Sequence, residues 1–277
     1  MKVISRLERA TQLDKVVAAG QRLARFIPAG RIRDSLHGVW LGHPVHPMLV
    51  QAPVGAWLSA TGIGLTEQGE PAARRLTIAG LAASVPAALA GAADWAEQHE
   101  QQMRVGVVHA CANTIAIGCY AASLAPARSS VRRLWRFAGL TSVAVAGVLG
   151  GHLSFRLAAG ANHAEAVPHL VEPGWHRLMA AAELPDDKPV RRMLGEVPVV
   201  VVRSGGQVHV LADRCSHMSG SLADGELADG RLTCPWHGSV FGLCDGQVLR
   251  GPATAPQPRF ETRITGTAVE VLLPDAG

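Results

Sequence analysis

Four windows of the chain, residues 49–66, 76–95, 105–124 and 139–157, carry few charged side chains, and each is eighteen to twenty residues long. A helix of that length crosses the hydrocarbon core of a bilayer. A soluble amphipathic helix keeps a polar outer face, and residues 78–90, Ile-Ala-Gly-Leu-Ala-Ala-Ser-Val-Pro-Ala-Ala-Leu-Ala, have none. Gly147, Gly150 and Gly151 permit close helix approach. Pro86 is tolerable where neighbouring helices satisfy the carbonyl it frees. The expectation is an all-α transmembrane four-helix bundle in the N-terminal part. The competing expectation is a soluble bundle whose helices are buried.

Composition changes beyond this region, and 277 residues have room for two domains. The expected division is a basic amphipathic segment over residues 1–36, a four-span membrane domain over 37–157, a flexible linker over 158–174 and an all-β domain over 175–277. Lys2, Arg6, Arg9, Lys15, Arg22, Arg25, Arg31 and Arg33 precede the first window. They favour a cytoplasmic N-terminus lying on anionic lipid, and four spans return the C-terminal domain to that side. Arg128, Arg132, Arg133 and Arg136 in the third loop oppose that orientation. No cleavable signal peptide is visible. A net charge of +4, with few aromatics among the basic residues, argues against a nucleic-acid partner.

In the C-terminal part, Cys215-Ser-His217 is followed after sixteen residues by Cys234-Pro-Trp-His237. Each loop offers one sulfur and one nitrogen. Two thiolates and two imidazoles can hold an iron-sulfur cluster with the cysteines on one iron and the histidines on the other, or a tetrahedral zinc ion. A zinc finger with these ligands groups its cysteines in one place and its histidines in another, so the mixed loops suit two irons better. Apolar runs at 199–202, 208–211 and 269–272 read as strands, with Gly205-Gly206 and Asp245-Gly246 as hairpin turns. Cys244 reads as a buried small side chain, and Cys111 and Cys119 as packing residues on one helix.

From about Trp175 to Leu273 the order of motifs resembles a Rieske ferredoxin domain: the valine run and Gly-Gly turn, the CSH and CPWHGSVF loops, Phe241-Gly-Leu-Cys-Asp-Gly246, Gly251-Pro252 and the terminal apolar strand. The resemblance implies an all-β Rieske-like fold and a 2Fe-2S cluster on Cys215, His217, Cys234 and His237. Respiratory Rieske proteins carry an extra cysteine in each loop, where this chain has Gly220 and Trp236, so it resembles the ferredoxin and oxygenase type. Ser239 remains as a hydroxyl donor to a cluster sulfur, while Phe241 stands in place of a tyrosine. The loss of one donor predicts a low to intermediate potential.

Residues 37–160, which include His43-Pro-Val-His46-Pro47, also resemble an uncharacterised bacterial family of four-span membrane domains. That resemblance supports the membrane assignment and the fusion architecture and brings no established activity; with the orientation read from the loops, the expected location is a bacterial inner membrane, multi-pass, with the Rieske domain in the cytoplasm. In this topology His43, His46, His109 and His152 fall near one membrane face, along with Asp94 and His99. Histidines on facing helices can ligate haem or another metal. The expected sites are haem b between His109 and His152, with His43 and His46 as metal ligands; the plainer expectation is that these histidines anchor helix ends. The expected function is membrane-tethered one-electron transfer to a redox partner protein or quinone. A quinol-oxidising enzyme component and a redox-responsive membrane anchor are the alternatives.

Overall fold

The computed structural model describes residues 4–125 and 128–274, so Lys2 lies outside the described residues. In chain order the α-helices are α1 (Ile4–Glu8), α2 (Asp14–Ala24), α3 (Arg31–His37), α4 (His46–Leu49), α5 (Gln51–Ile63), α6 (Glu70–Trp95), α7 (Glu100–Ala122), α8 (Ser129–Gly151) and α9 (Val167–Leu170). The strands are β1 (His176–Ala180), β2 (Val190–Leu194), β3 (Val197–Ser204), β4 (Gln207–Ala212), β5 (Glu226–Ala228), β6 (Arg231–Thr233), β7 (Val240–Gly242), β8 (Val248–Arg250), β9 (Arg259–Thr265) and β10 (Ala268–Leu272). They form two compact units, one helical (residues 1–28 and 45–159) and one mostly β (residues 29–44 and 160–277).

In the helical unit α5 and α6 form one antiparallel pair and α7 and α8 another. Small residues set both spacings. A Cβ on Gly80 of α6 would stand 2.4 Å from Trp57 of α5, and one on Gly139 of α8 would stand 2.7 Å from Tyr120 of α7. The two aromatics then stack across the pairs, 4.7 Å apart and 8° from parallel. The Tyr120 hydroxyl lies 2.9 Å from Thr61 Oγ1, and both groups reach the Trp57 carbonyl.

Among the described residues, three helices are long and apolar enough to cross a membrane: residues 70–95, 100–122 and 129–156. The first expected span is not among them. Its residues form α4 and the thirteen-residue α5, and α5 rises only about 20 Å. Pro47 sits in the first turn of α4, and α4 and α5 meet at Val50, whose backbone stays helical. The basic N-terminal segment is also partly folded onto the helices. Asp14 of α2 takes two hydrogen bonds from Arg104 of α7, at 2.6 and 3.1 Å, and a Cβ on Gly20 would strike the Trp95 ring at 2.7 Å.

The β unit holds a six-stranded sheet in the order β1-β10-β9-β4-β3-β2 and a four-stranded sheet in the order β5-β6-β7-β8. All described pairings between neighbouring strands are antiparallel. The valine run at 199–202 lacks alternation because β3 is covered on both faces. Val199 and Val201 join a core with Val210, Phe260, Val269 and Val271, while Val200 and Val202 join one with Leu211, Leu222, Leu232 and Phe241. Gly205 and Gly206 both have positive φ at the β3–β4 turn, as the Gly-Gly pair predicts.

Two segments depart from the expected boundaries. Residues 158–174, expected as a tether, are packed: Ala164 and Val167 are buried, and the His163 amide donates to the Ser216 carbonyl. Residues 29–44, including α3, belong to the β unit; Asp34 Oδ1 accepts the Gly251 amide at 3.0 Å. Single residues could not signal these placements, because each depends on a partner more than fifty or two hundred positions away.

Of the buried charges in the helical unit, Arg136 is the more deeply enclosed, and its stability depends on its partner. Arg136 is 1 % exposed and donates twice to Glu70, at 2.8 Å each, and Arg132 adds a 2.9 Å bond. Removing the acceptor leaves a buried guanidinium without compensation, which costs about 3 kcal/mol or more. Glu70→Ala is therefore expected to lower the unfolding temperature of the detergent-purified protein clearly, with Glu70→Asp intermediate, as measured by thermal unfolding.

Candidate iron-sulfur centre

Cys215 and Cys234 occupy two loops with the same backbone closure. Cys215 N donates to Gly220 O and Ser219 N returns to Cys215 O; Cys234 N donates to Ser239 O and Gly238 N returns to Cys234 O. The fourth residue after each cysteine has positive φ, +63° at Ser219 and +73° at Gly238. Glycine suits that conformation in the second loop. The first loop emerges from β4 and the second links β6 to β7, so one loop comes from each sheet.

This closure turns amides toward sulfur. The His217 and Met218 amides face Cys215, and the Trp236 and His237 amides face Cys234. The thiols meet in a hydrogen bond, which holds Cys234 below the usual thiol range, helped by those amides against burial. The same bond, with burial, pushes Cys215 up. The imidazoles of His217 and His237 form a second pair, with ring centres 5.1 Å apart and planes at 88°. Both histidines are half-buried, while both cysteines are buried. Among the described residues no three His, Cys, Asp or Glu side chains gather as one metal site. A thiol pair and an imidazole pair match the division of two cysteines and two histidines between two irons. The sequence-expected ligands are thus brought together as two pairs.

Gly220 and Trp236, which stand where respiratory proteins carry the extra cysteines, lie against each other. A Cβ on Gly220 would be 3.0 Å from the Trp236 ring and 3.0 Å from Cys234 Sγ. Ser239 is fully buried, and its Oγ accepts the Ala253 amide at 2.9 Å. Its hydroxyl proton remains available to a further acceptor.

A third loop, residues 251–257, braces the other two, and its main residue was not anticipated. Gln257 is buried; its Oε1 accepts the Ser216 amide at 3.1 Å, and its Nε2 donates to Ala212 O at 2.8 Å and to Arg214 O. Ser216 Oγ donates to Ala255 O at 2.7 Å. Beneath the first loop, buried Asp213 accepts the Ala223 amide, Ser221 Oγ and Arg191 Nε. The sequence-level signal for these residues is weak: a Gln or Asp beside a motif stands out only once its backbone partners are known.

The remaining candidates lie elsewhere. Cys244 is exposed, contrary to the expectation of burial, and lines an open groove of about 580 Å³ with His209, Arg259 and Phe260. Burial, then the Arg259 charge, lowers the pKa of His209. Cys111 is exposed and Cys119 buried; both are free thiols. His43 is exposed, with Nδ1 3.0 Å from Pro44 O. His109 and His152 are not a pair: His152 Nε2 lies 2.9 Å from Glu8 Oε1, while the His109 ring faces His46, 6.4 Å between centres.

Residues 174–261 match the Rieske [2Fe-2S] domain family, and the chain belongs to that family through this domain. The match implies a 2Fe-2S cluster. Over 97 residues the chain is 34% identical to the anthranilate 1,2-dioxygenase ferredoxin subunit of Burkholderia cepacia, covering 90% of that protein and 35% of this chain. It is 33% identical over 92 residues to ferredoxin CarAc of Metapseudomonas resinovorans, covering 85% of that protein and 32% of this chain. Among solved structures, the Sphingomonas yanoikuyae B1 ferredoxin is 25% identical, with a TM-score of 0.35, over 36% of this chain and 100% of that one.

The bracing by Gln257 gives a test. Gln257→Leu leaves a buried amide and two buried carbonyls without their partner, at about 1–3 kcal/mol for each group left unsatisfied. The expected outcome is a lower unfolding temperature and a reduced cluster content per chain, read by iron analysis and the electron paramagnetic resonance signal of the reduced protein.

Proposed function

We propose that the protein is a membrane-tethered one-electron carrier, with the Rieske domain as the carrier and the helical unit as the anchor. The observation that carries the reading is the paired disposition of the ligands: two buried thiols faced by four amides, and two half-buried imidazoles beside an exposed Trp236. When bound, the cluster supplies reversible one-electron chemistry. The chain's own residues hold the thiolates, brace the loops and leave the imidazole edge open to a partner. The identity to ferredoxin subunits of dioxygenases supports an oxidoreductase component as that partner.

Three long apolar helices support residence in a membrane. The basic residues before the first apolar window support a cytoplasmic N-terminus by the positive-inside rule.

The test is a dithionite-reduced minus air-oxidised spectrum of detergent-purified protein, with electron paramagnetic resonance of the reduced form. A broad bleach and a rhombic signal of a mixed histidine-cysteine cluster are expected. A silent spectrum in anaerobically purified, iron-replete protein overturns the carrier. Fractionation tests the anchor: the protein is expected to stay with membranes through alkaline carbonate and to leave only in detergent.

Trp236 is 54 % exposed next to a ligand histidine. An exposed aromatic of this kind is a contact anchor. Trp236→Ala is expected to slow electron delivery to the partner about tenfold or more at low partner concentration. The reduced-minus-oxidised spectrum should stay unchanged; stopped-flow oxidation checks both.

A further inference from the structure

The helical unit contains the same hairpin twice. Trp57 follows His46 by eleven residues, and Tyr120 follows His109 by eleven. On the returning helices Gly91 follows Gly80 by eleven, and Gly150 follows Gly139 by eleven. The contacts repeat with the spacing. Gly80 seats Trp57 and Gly139 seats Tyr120; Gly91 seats His46 and Gly150 seats His109. Each equivalent pair also meets its own counterpart, Trp57 on Tyr120 and His46 on His109. Side chains that meet their own equivalents lie on a two-fold axis, here one running along the helices.

The two histidines are held alike. His46 Nδ1 lies 2.8 Å from the Ala87 carbonyl and His109 Nδ1 lies 2.8 Å from the Ala146 carbonyl. In each case the carbonyl is four residues before the seating glycine. A Cβ on Gly91 would stand 2.8 Å from His46 Cε1, and one on Gly150 would stand 3.3 Å from His109 Cε1. A backbone carbonyl on Nδ1 fixes the proton there and leaves the Nε2 lone pair for another partner, the device that orients metal-binding histidines. His46 Nε2 makes no hydrogen bond among the described residues, and Asn113 Nδ2 stands 3.1 Å from His109 Nε2. The first hairpin has Val50 at the place of Asn113.

We propose that His46 and His109 form a two-imidazole site for a transition-metal centre, either haem iron or a bare ion. Two imidazoles sharing one metal at about 2 Å from each nitrogen hold their ring centres about 6 Å apart; here the separation is 6.4 Å with the planes at 78°. Neutral imidazole suits iron, copper and zinc. Asn113 occupies the His109 lone pair until the metal replaces it. The site differs from the expected His109–His152 pair, whose second member binds Glu8, and it does not rest on the electron-transfer reading.

The experiment titrates full-length, cluster-loaded protein in detergent with haemin and, separately, with Zn2+. One saturable equivalent of haemin with a low-spin six-coordinate spectrum supports a haem; one equivalent of Zn2+ without haemin binding supports a bare ion. His46→Gln and His109→Gln are each expected to weaken the bound probe at least about tenfold, and His152→Gln to leave it unchanged. Asn113→Ala is expected to bind as tightly as the wild type or more tightly. Failure of both probes to bind, or binding unaltered in both His46→Gln and His109→Gln, overturns the proposal. Wild-type protein provides a check free of misfolding: the bound probe must protect His46 and His109 from diethylpyrocarbonate while His43 stays reactive. Equal modification with and without the probe overturns the site.

Discussion

The Cys–amide closure in the two ligand loops is the constraint on which the redox centre depends. One hydrogen bond runs from each cysteine amide to the carbonyl five residues on, and one returns to its own carbonyl. The result is a turn whose amides at the second and third positions after cysteine face sulfur. A buried thiolate without such donors is costly. With them, two thiols can lie side by side inside a core, and the charge of a reduced cluster meets dipoles already in place. The spacing difference between Cys-X-His and Cys-X-X-His acts within this common frame. It places each imidazole at the rim, where the pair meets at a right angle.

The sheets serve that frame. A strand buried on both faces must be apolar throughout, and β3 satisfies this with four successive valines that alternate between two cores. One core binds the six-stranded sheet together; the other contains Cys215, Cys234, Leu222, Leu232 and Phe241 and lies under the ligand loops. The loops therefore rest on the same packed layer and cannot drift independently. Gln257 and Asp213 complete the arrangement by satisfying the amides and carbonyls that two tight turns leave inside a protein.

Much of this is legible in the sequence. The ligands are named by a spacing rule, and the β3–β4 and β7–β8 hairpins by the Gly205-Gly206 and Asp245-Gly246 turns, because both depend on residues close in sequence. The bracing residues were not legible, since a glutamine that bonds Ser216 from forty-one positions away carries no local mark. The helical unit shows the same division. Long charge-poor runs foretold α6, α7 and α8, while the first window is divided at Val50 between α4 and the thirteen-residue α5. The histidines were expected on one face, and His46, His109 and His152 do lie toward the same end of the unit. Their partners were misassigned, because a helix face fixes height and not which neighbour a side chain meets.

The duplicated hairpin explains why that partner assignment follows from geometry. A repeated element brought together by rotation makes each axial residue its own neighbour, so His46 must meet His109 once Trp57 meets Tyr120 at the next level. His152 has no such counterpart and is drawn to Glu8 instead. The copies differ where they need to distinguish themselves. Tyr120 carries a hydroxyl that bridges to Thr61 and the Trp57 carbonyl, which locks one hairpin against the other. Asn113 plays the corresponding part beside the histidines, giving one imidazole a donor and leaving the other open. An axis that is symmetric in its ligands and asymmetric in their neighbours holds two like donors at a fixed separation while keeping one of them occupied, so the apolar interior need not bury two unsatisfied nitrogens.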